Sequence, residues 1–340
     1  MADTKAGKKK RILSGMRPTG RIHLGNYEGA LKNWVKLQDE FDSFHMVADW
    51  HALTNNPDAA HIHADTLDMV IDWMAAGLDP QKCTMFIQSH VREHAELHLL
   101  LSMATPLGWL ERCPTFKELY RDDDERKGLS YGMLGYPVLQ AADILIYKAH
   151  FVPVGEDQVP HLEITREVCR RFNKLYGKVF PEPQAKLTET PRILGADRRK
   201  MSKSLGNHIV MSDTPEAIRK KVLTMITDPK RPRKNDPGHP GECNVFTFHQ
   251  LYNKNRDRIP EIEKGCRAGD WACFDCKQEL ATALVEWLEP FREKREALAA
   301  DPDFVKDVLR QGNLAARRAA QAVMTEVREK TTLGSLIAGD

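Results

Sequence analysis

The chain has 340 residues, 41% apolar and 29% charged, which is long enough for two domains and polar enough to exclude a membrane-embedded class. No apolar stretch nears the ~20 residues a membrane-spanning helix needs, and the basic start, residues 1–10, lacks the apolar core of a signal peptide. A net charge of only +2 gives no global case for a nucleic-acid partner, so any such surface must be a local patch. Seven cysteines, an odd number without an export signal, point to a reducing cytoplasm rather than a disulfide framework.

In chain order, residues 1–10 form a tail that Lys5, Lys8, Lys9, Lys10 and the adjoining Arg11 make basic, read as a solvated end, with a tRNA-touching arm as the alternative. Arg11-Ile12-Leu13-Ser14-Gly15 reads as a strand, and Arg17-Pro18-Thr19-Gly20 as the turn after it. From Asn26 onward, Ala30, Leu31, Trp34, Val35 and Leu37 recur at helical spacing. Residues 44–48 and 84–87 read as further strands, each preceded by a helix. Residues 138–147 are apolar with one carboxylate inside, Asp143. Val152-Pro153-Val154-Gly155 reads as a last short strand, ending where Glu156-Asp157-Gln158 begin. Such alternation predicts an α/β fold with a doubly wound parallel sheet and crossover helices over 11–210. Beyond about 210 charged helix-period segments dominate, predicting an all-helical second domain over 211–340, whose last helix is free to pack back on the first. Asp228 to Gly241 is a loop rich in proline, glycine and basic residues, with Lys230, Arg231, Arg233 and Lys234.

Two short motifs, far apart, carry chemistry. His23-Leu24-Gly25-Asn26 follows a strand and a tight turn and opens a helix. A helix N-terminus offers unpaired backbone N–H groups and a positive dipole end, which suit a phosphate. Gly25 allows close approach of a nucleotide to the backbone, while His23 and Asn26 add side-chain donors. The second motif is Lys200-Met201-Ser202-Lys203-Ser204, followed by Leu205-Gly206-Asn207. Two ammonium groups and two hydroxyls in five residues can grip a pyrophosphate as it gathers charge in a transition state. Either motif alone is weak, and a Lys-Ser run is more often an exposed basic loop.

Together they resemble the HIGH and KMSKS signatures of class I aminoacyl-tRNA synthetases. The blocks Gly15-Met16-Arg17-Pro18-Thr19-Gly20, Asp49-Trp50-His51-Ala52-Leu53-Thr54, Tyr136-Pro137-Val138-Leu139-Gln140-Ala141-Ala142-Asp143 and Val152-Pro153-Val154-Gly155-Glu156-Asp157-Gln158 resemble the bacterial tryptophanyl branch, roughly from residue 11 to 335. Asn26 departs from the second histidine of the general motif in the way that branch commonly does.

The resemblance implies a Rossmann-like catalytic domain, a helical anticodon-binding domain, tRNA, tryptophan and ATP with Mg²⁺ as ligands, and a homodimer. It implies that His23, Asn26, Lys200 and Lys203 are catalytic. Arg17, Pro18 and Thr19, Gly25, Gly155, Glu156 and Asp157, Ile193, and Met201, Ser202 and Ser204 would complete the ATP site. Asp143 would accept the indole N–H, with Tyr136, Gln140 and Gln158 around the amino acid. Gln140 stands where many members have methionine, and Arg17 where glutamine is frequent. The tryptophan carboxylate, ionised at neutral pH, would attack the α-phosphorus of ATP, and a hydroxyl of the tRNA's terminal ribose would then attack the adenylate. A tyrosyl enzyme is the alternative, because a carboxylate at Asp143 also serves a phenol; a paralogue that binds RNA or tryptophan without charging is a second.

Cys243, Cys266, Cys273 and Cys276 have the spacing C-x22-C-x6-C-x2-C. Four thiolates satisfy tetrahedral zinc, and one distant plus three grouped cysteines also suit a [4Fe-4S] cluster. The spacing leaves both open; the resemblance favours the cluster, since a subset of tryptophanyl enzymes carries one there. On that reading the cluster orients Lys230, Arg231, Arg233 and Lys234 towards an anticodon stem, and its loss harms tRNA charging far more than adenylate formation. Cys83, Cys113 and Cys169 read as buried fillers. His90-Val91-Arg92-Glu93-His94 matches a zinc-peptidase pattern, but His90 follows a strand end and no third ligand is evident. Asp122-Asp123-Asp124-Glu125 and His61-Ile62-His63 read as solvated surface.

Overall fold

A computed structural model describes residues 9–54, 57–113, 130–155, 158–187, 193–231, 233 and 235–333. The acidic run 122–125 lies outside them, and so do Glu156, Asp157 and Lys234. Among the described residues there are five strands: β1 (Arg11–Met16), β2 (Asp42–Val47), β3 (Cys83–Ile87), β4 (Phe151–Val154) and β5 (Gln184–Leu187). The main helices are α1 (Ile62–Ala75), α2 (Glu93–Ala104), α3 (Tyr131–Leu145), α4 (Val159–Tyr176), α5 (Pro215–Leu223), α6 (Asn244–Tyr252), α7 (Arg258–Ala268), α8 (Cys273–Ala300) and α9 (Pro302–Thr331). None of the described helices is long and apolar enough to cross a membrane.

The chain divides into two compact units, one of Met1–Gly20, Asn33–Glu189 and Asp301–Asp340, the other of Arg21–Lys32 and Thr190–Ala300. Packing therefore divides the chain differently from the change of texture near residue 210. The first phosphate motif groups with the second and with the helical segment, because its backbone is hydrogen-bonded there.

In the first unit all five strands are parallel, in the order β3-β2-β1-β4-β5. This is the expected Rossmann-like sheet, with its order reversing between β1 and β4. Five of six residues in β2 are buried, since helices cover both faces of a parallel sheet. The edge strand β5, Gln-Ala-Lys-Leu, has no buried residue, which is why apolar patterning does not signal it. The apolar run 138–147 is the inner half of α3 and the turn beyond it. Ser130 caps this helix by accepting from Met133 N–H, and Pro137 sits within it.

The other edge, β3, is covered by α9. Gly312 lies so close to this strand that a Cβ there would overlap the Met85 carbonyl oxygen. Next to it, the Asn313 side-chain oxygen accepts the Ile87 N–H at 2.8 Å, giving an edge-strand donor a partner. Arg317 pairs with Glu93 at 3.2 Å and Arg328 with Glu96 at 2.8 Å, fastening α9 to α2.

In the second unit, Ile22 and His23 run antiparallel to Ile209, Val210 and Met211, with Met211 N–H donating to Ile22 at 3.0 Å and Leu24 N–H to Ile209 at 3.0 Å. The helix that starts at Leu24 passes through a π-helical turn, Tyr27–Leu31. Trp287 of α8 packs between Tyr27 and Tyr252, with ring centroids 5.5 and 4.7 Å away.

Candidate functional site

In the first unit the candidate residues gather at the carboxyl ends of the strands, where open parallel sheets bind ligands, next to the point where strand order reverses. Arg17, Pro18 and Thr19 follow β1; Arg17 and Thr19 are exposed and Pro18 is buried. Gly155 follows β4, and Gln158 donates its N–H to the Gly155 carbonyl at 3.0 Å.

An open cleft of about 530 Å³ lies beside α3, lined by Trp50, Leu53, Thr54, His98, Tyr131 and Tyr136 among others. Tyr136, Gln140 and Asp143 fall on one face of α3 by their spacing. Tyr136 lines the cleft itself, its hydroxyl 3.3 Å from His161 Nδ1. Asp143 is 2% exposed and is held by three donors. His51 Nε2 lies 2.8 Å from Oδ2, while Gln88 Nε2 at 2.8 Å and His94 Nδ1 at 2.6 Å share Oδ1. The other ring nitrogen of His94 is 2.7 Å from the Tyr147 hydroxyl, a group whose pKa burial pushes well up. With Tyr147 donating, His94 accepts at Nε2 and donates at Nδ1. Burial pushes the Asp143 carboxyl up, but the His51 and His94 donors outweigh it and hold the group well below the usual carboxylate range. The result is an ionised, buried acceptor fixed in orientation.

Sequence reasoning missed His51, Gln88 and His94. Two had signals: His51 lies in the Asp49-Trp50-His51 block, and His94 ends the zinc-peptidase pattern. The structure gives that pattern another use, with His90 facing Asn313 at 2.9 Å and His94 facing Asp143. His61 and His63 are exposed, as expected.

In the second unit the two phosphate motifs touch. His23 caps the helix after it: Nδ1 accepts Asn26 N–H at 3.2 Å, and Asn26 Oδ1 accepts His23 N–H at 3.3 Å. That use of Nδ1 places the proton on Nε2, and Asn26 keeps its Nδ2 as donor. Burial, helped by Lys203 and His208, lowers the His23 pKa to about 4, so the ring is neutral at physiological pH. Gly25 N–H lies 3.2 Å from Met201 Sδ, and a Cβ at Gly25 would stand 2.9 Å from the His23 ring and 3.3 Å from Met201 Cβ. Met201 is thus the buried peg between the motifs, whereas Lys200 and Ser204 are exposed and Lys203 and Ser202 half-buried. Ile193 is buried beside Leu194, whose bridge to Lys200 closes the base of the loop.

Also in this unit, Cys243, Cys266, Cys273 and Cys276 line one cavity of about 410 Å³, with Val245, Phe246, Ile262 and Trp271 as apolar wall. Cys243 precedes α6, Cys266 lies in α7 and the other two open α8. No three His, Cys, Asp or Glu side chains among the described residues converge on a single ion position. Burial pushes the Cys243, Cys266 and Cys276 thiols up. Arg231 is 9% exposed and turns inward, Nη1 3.8 Å from Cys273 Sγ and Nη2 3.3 Å from the Gly269 carbonyl. This corrects the expectation that Arg231 faces a tRNA: its guanidinium is turned into the fold, where the Gly269 carbonyl and the Cys273 sulfur accept from it. Lys230 pairs with Glu242 at 2.6 Å, and Arg233 is exposed.

The family described as "tRNA synthetases class I (W and Y)" matches residues 5–289. Among curated relatives, the tryptophan–tRNA ligase of Thermotoga maritima is 47% identical, covering 95% of this chain and 99% of its own. The tryptophan–tRNA ligase of Aquifex aeolicus is 44% identical, with 95% and 100% covered. A crystal structure of tryptophanyl-tRNA synthetase from Campylobacter jejuni, complexed with ADP and tryptophan, superposes with a TM-score of 0.84 at 34% identity, over 95% of this chain and 99% of that one.

Proposed function

From the premise that the chain belongs to the class I tRNA synthetases and is a tryptophan–tRNA ligase, we propose how its own residues carry that activity. Full-length relatives that are tryptophan ligases displace the tyrosyl alternative. The observation that carries the assignment of parts is Asp143, an ionised carboxylate buried one helical turn beyond Leu139, which lines the cleft.

Two carboxylate oxygens offer about four lone-pair directions. Gln88 and His94 take two on Oδ1 and His51 one on Oδ2, which leaves an acceptor on Oδ2 for the indole N–H. A ligand without that donor would leave a buried charge short of a partner and be rejected. Tyr136 borders the amino acid, with Gln140 one turn on and Gln158 at the start of α4.

ATP, with its Mg²⁺, is gripped by the two phosphate motifs of the second unit. The tryptophan carboxylate attacks the α-phosphorus, so no general base is needed. As pyrophosphate leaves, the His23 Nε2–H, Asn26 Nδ2 and the ammonium groups of Lys200 and Lys203 meet the growing charge. A ribose hydroxyl at the tRNA terminus then displaces AMP. Pyrophosphate exchange with each amino acid separately tests the assignment: exchange with tryptophan alone is expected, and exchange with tyrosine at a comparable rate overturns it.

We further propose a [4Fe-4S] cluster at the four cysteines. Four cysteines lining one cavity, at a spacing of one distant and three grouped residues, support this reading. Bound there, it would cross-link α6, α7 and α8. Iron and sulfide analysis of anaerobically purified protein, with absorption near 400 nm, tests it; zinc alone, or no metal, overturns it. The helical segment is proposed to read the anticodon, with exposed Arg233 in the basic loop beside the cysteines. A homodimer in a reducing cytoplasm fits the family and the free cysteines.

A further inference from the structure

The loop that carries Lys200 to Ser204 is tied, through one buried side chain, to the residue beside a cysteine. Asn244 follows Cys243 directly, opens α6 and is 5% exposed. Its Nδ2 donates to the Gly195 carbonyl at 2.9 Å. The same carbonyl accepts Arg198 N–H at 3.0 Å, in a turn where Arg198 holds a left-handed φ of 64°, and Gly195 N–H donates to Arg199 at 2.7 Å. Gly195 is pinned on its other side, since a Cβ there would overlap the Asn207 side chain.

Asn207 in turn braces the loop from within. Its Oδ1 accepts Ser202 N–H at 2.8 Å, while Nδ2 donates to Asp197 at 2.7 Å and to the Lys200 carbonyl at 3.1 Å. The line Cys243–Asn244–Gly195–Asn207 therefore ends on the backbone of Lys200 and Ser202. The links are a covalent bond, the buried Asn244–Gly195 hydrogen bond, a Gly195–Asn207 contact too tight for a side chain and the part-buried hydrogen bonds of Asn207, so displacement at one end has little slack to absorb it.

We propose that Asn244 is a positioning residue for the Lys200–Ser204 loop, and that the state of the four-cysteine site reaches the ATP step through it. The second half rests on the proposed cluster; the first does not. On this account, and unlike the expectation from the sequence that tRNA charging suffers far more, cluster loss weakens ATP handling as well as any tRNA contact.

The test compares Asn244→Ala and Asn244→Asp, the second keeping the shape and losing the donor, with the unaltered enzyme. Pyrophosphate exchange gives KM for ATP and for tryptophan, and iron content is measured on each preparation. Both variants are expected to raise KM for ATP about tenfold, the effect of one buried hydrogen bond, with KM for tryptophan and iron content unchanged. Trypsin cleavage after Lys200 or Lys203, slowed by ATP in the unaltered enzyme, should lose part of that protection. Unchanged KM for ATP and unchanged protection in both variants overturn the positioning role. Chelating the iron from the loaded, unaltered enzyme is expected to weaken equilibrium binding of ATP several-fold, with no further loss in Asn244→Ala. Equal loss in both proteins overturns the transmission through Asn244. Absence of iron in the unaltered enzyme overturns the cluster and the transmission, and the comparison of KM values still decides the positioning role.

Discussion

His94 Nδ1 stands 2.6 Å from Asp143 Oδ1, with no exposed surface on the ring and 2% on the carboxylate. A pair so buried acts as one unit: the imidazole, braced by Tyr147, fixes both the charge and the aim of the group proposed to hold the indole. His94→Ala should therefore raise KM for tryptophan about 10- to 100-fold, in line with losing a hydrogen bond to a charged group, and spare KM for ATP. The pH profile separates this from simple loosening. In the unaltered enzyme Asp143 stays ionised to well below pH 5, so KM for tryptophan should be flat from pH 8 to 5. Without His94 the carboxyl pKa rises, and KM should climb as pH falls. A flat profile in the variant would refute the role.

Lys203→Ala is expected to slow amino-acid activation about 10²–10³-fold, comparable with removing one oxyanion donor. Pyrophosphate exchange reads this directly, and near-normal turnover would sink the catalytic role.

Gly25→Ala should harm the same step by a different route. The added methyl meets the His23 ring at 2.9 Å and Met201 at 3.3 Å, so one of them must shift. Displacements near 1 Å in a reacting constellation cost about 10²-fold. Circular dichroism should stay normal while exchange falls; retained exchange would show that the contact is dispensable.

His45 predicts acid sensitivity. It is fully buried, with Nδ1 2.8 Å from Ser14 Oγ, and burial lowers its pKa to about 3. Below pH ~6.5 the unfolded chain binds a proton at this site that the folded chain refuses, so stability falls as pH falls, by about 1.4 kcal/mol per unit until pH nears 3. Urea unfolding at pH 7 and 5 should show His45→Gln losing about 2 kcal/mol less than the unaltered protein between the two. Equal losses would remove His45 from the account.

Gly312→Ala should destabilise the first unit by about 3 kcal/mol or more, because the methyl would overlap the Met85 backbone, which cannot yield as a flexible side chain does. Thermal unfolding measures it.

The sheet was largely legible because each of β1 to β4 carries a cluster of buried apolar residues, and the two phosphate motifs because their residue types repeat a chemistry. What could not be read were partnerships. Nothing near His94 in sequence announces Asp143, and nothing in Lys230-Arg231 says which cation turns inward. Spacing gave the four cysteines as a group, but Arg231 was assigned to an anticodon stem because its inward partners, the Gly269 carbonyl and the Cys273 sulfur, lie 38 and 42 residues further along the chain. β5 escaped for the opposite reason: its side chains are exposed, and only backbone pairing makes it a strand.

The lid that α9 forms on β3 sets an order of events during synthesis. The strand leaves the ribosome more than 200 residues before the helix that completes its edge. Until Asn313 arrives, the Ile87 N–H and its neighbours form an open template for any passing strand. Nascent chains and fragments that stop short of Asp301 should consequently be the sticky forms of this protein, calling for chaperones in the interval, and a supplied peptide spanning residues 301–333 should quench their aggregation by closing the edge in trans.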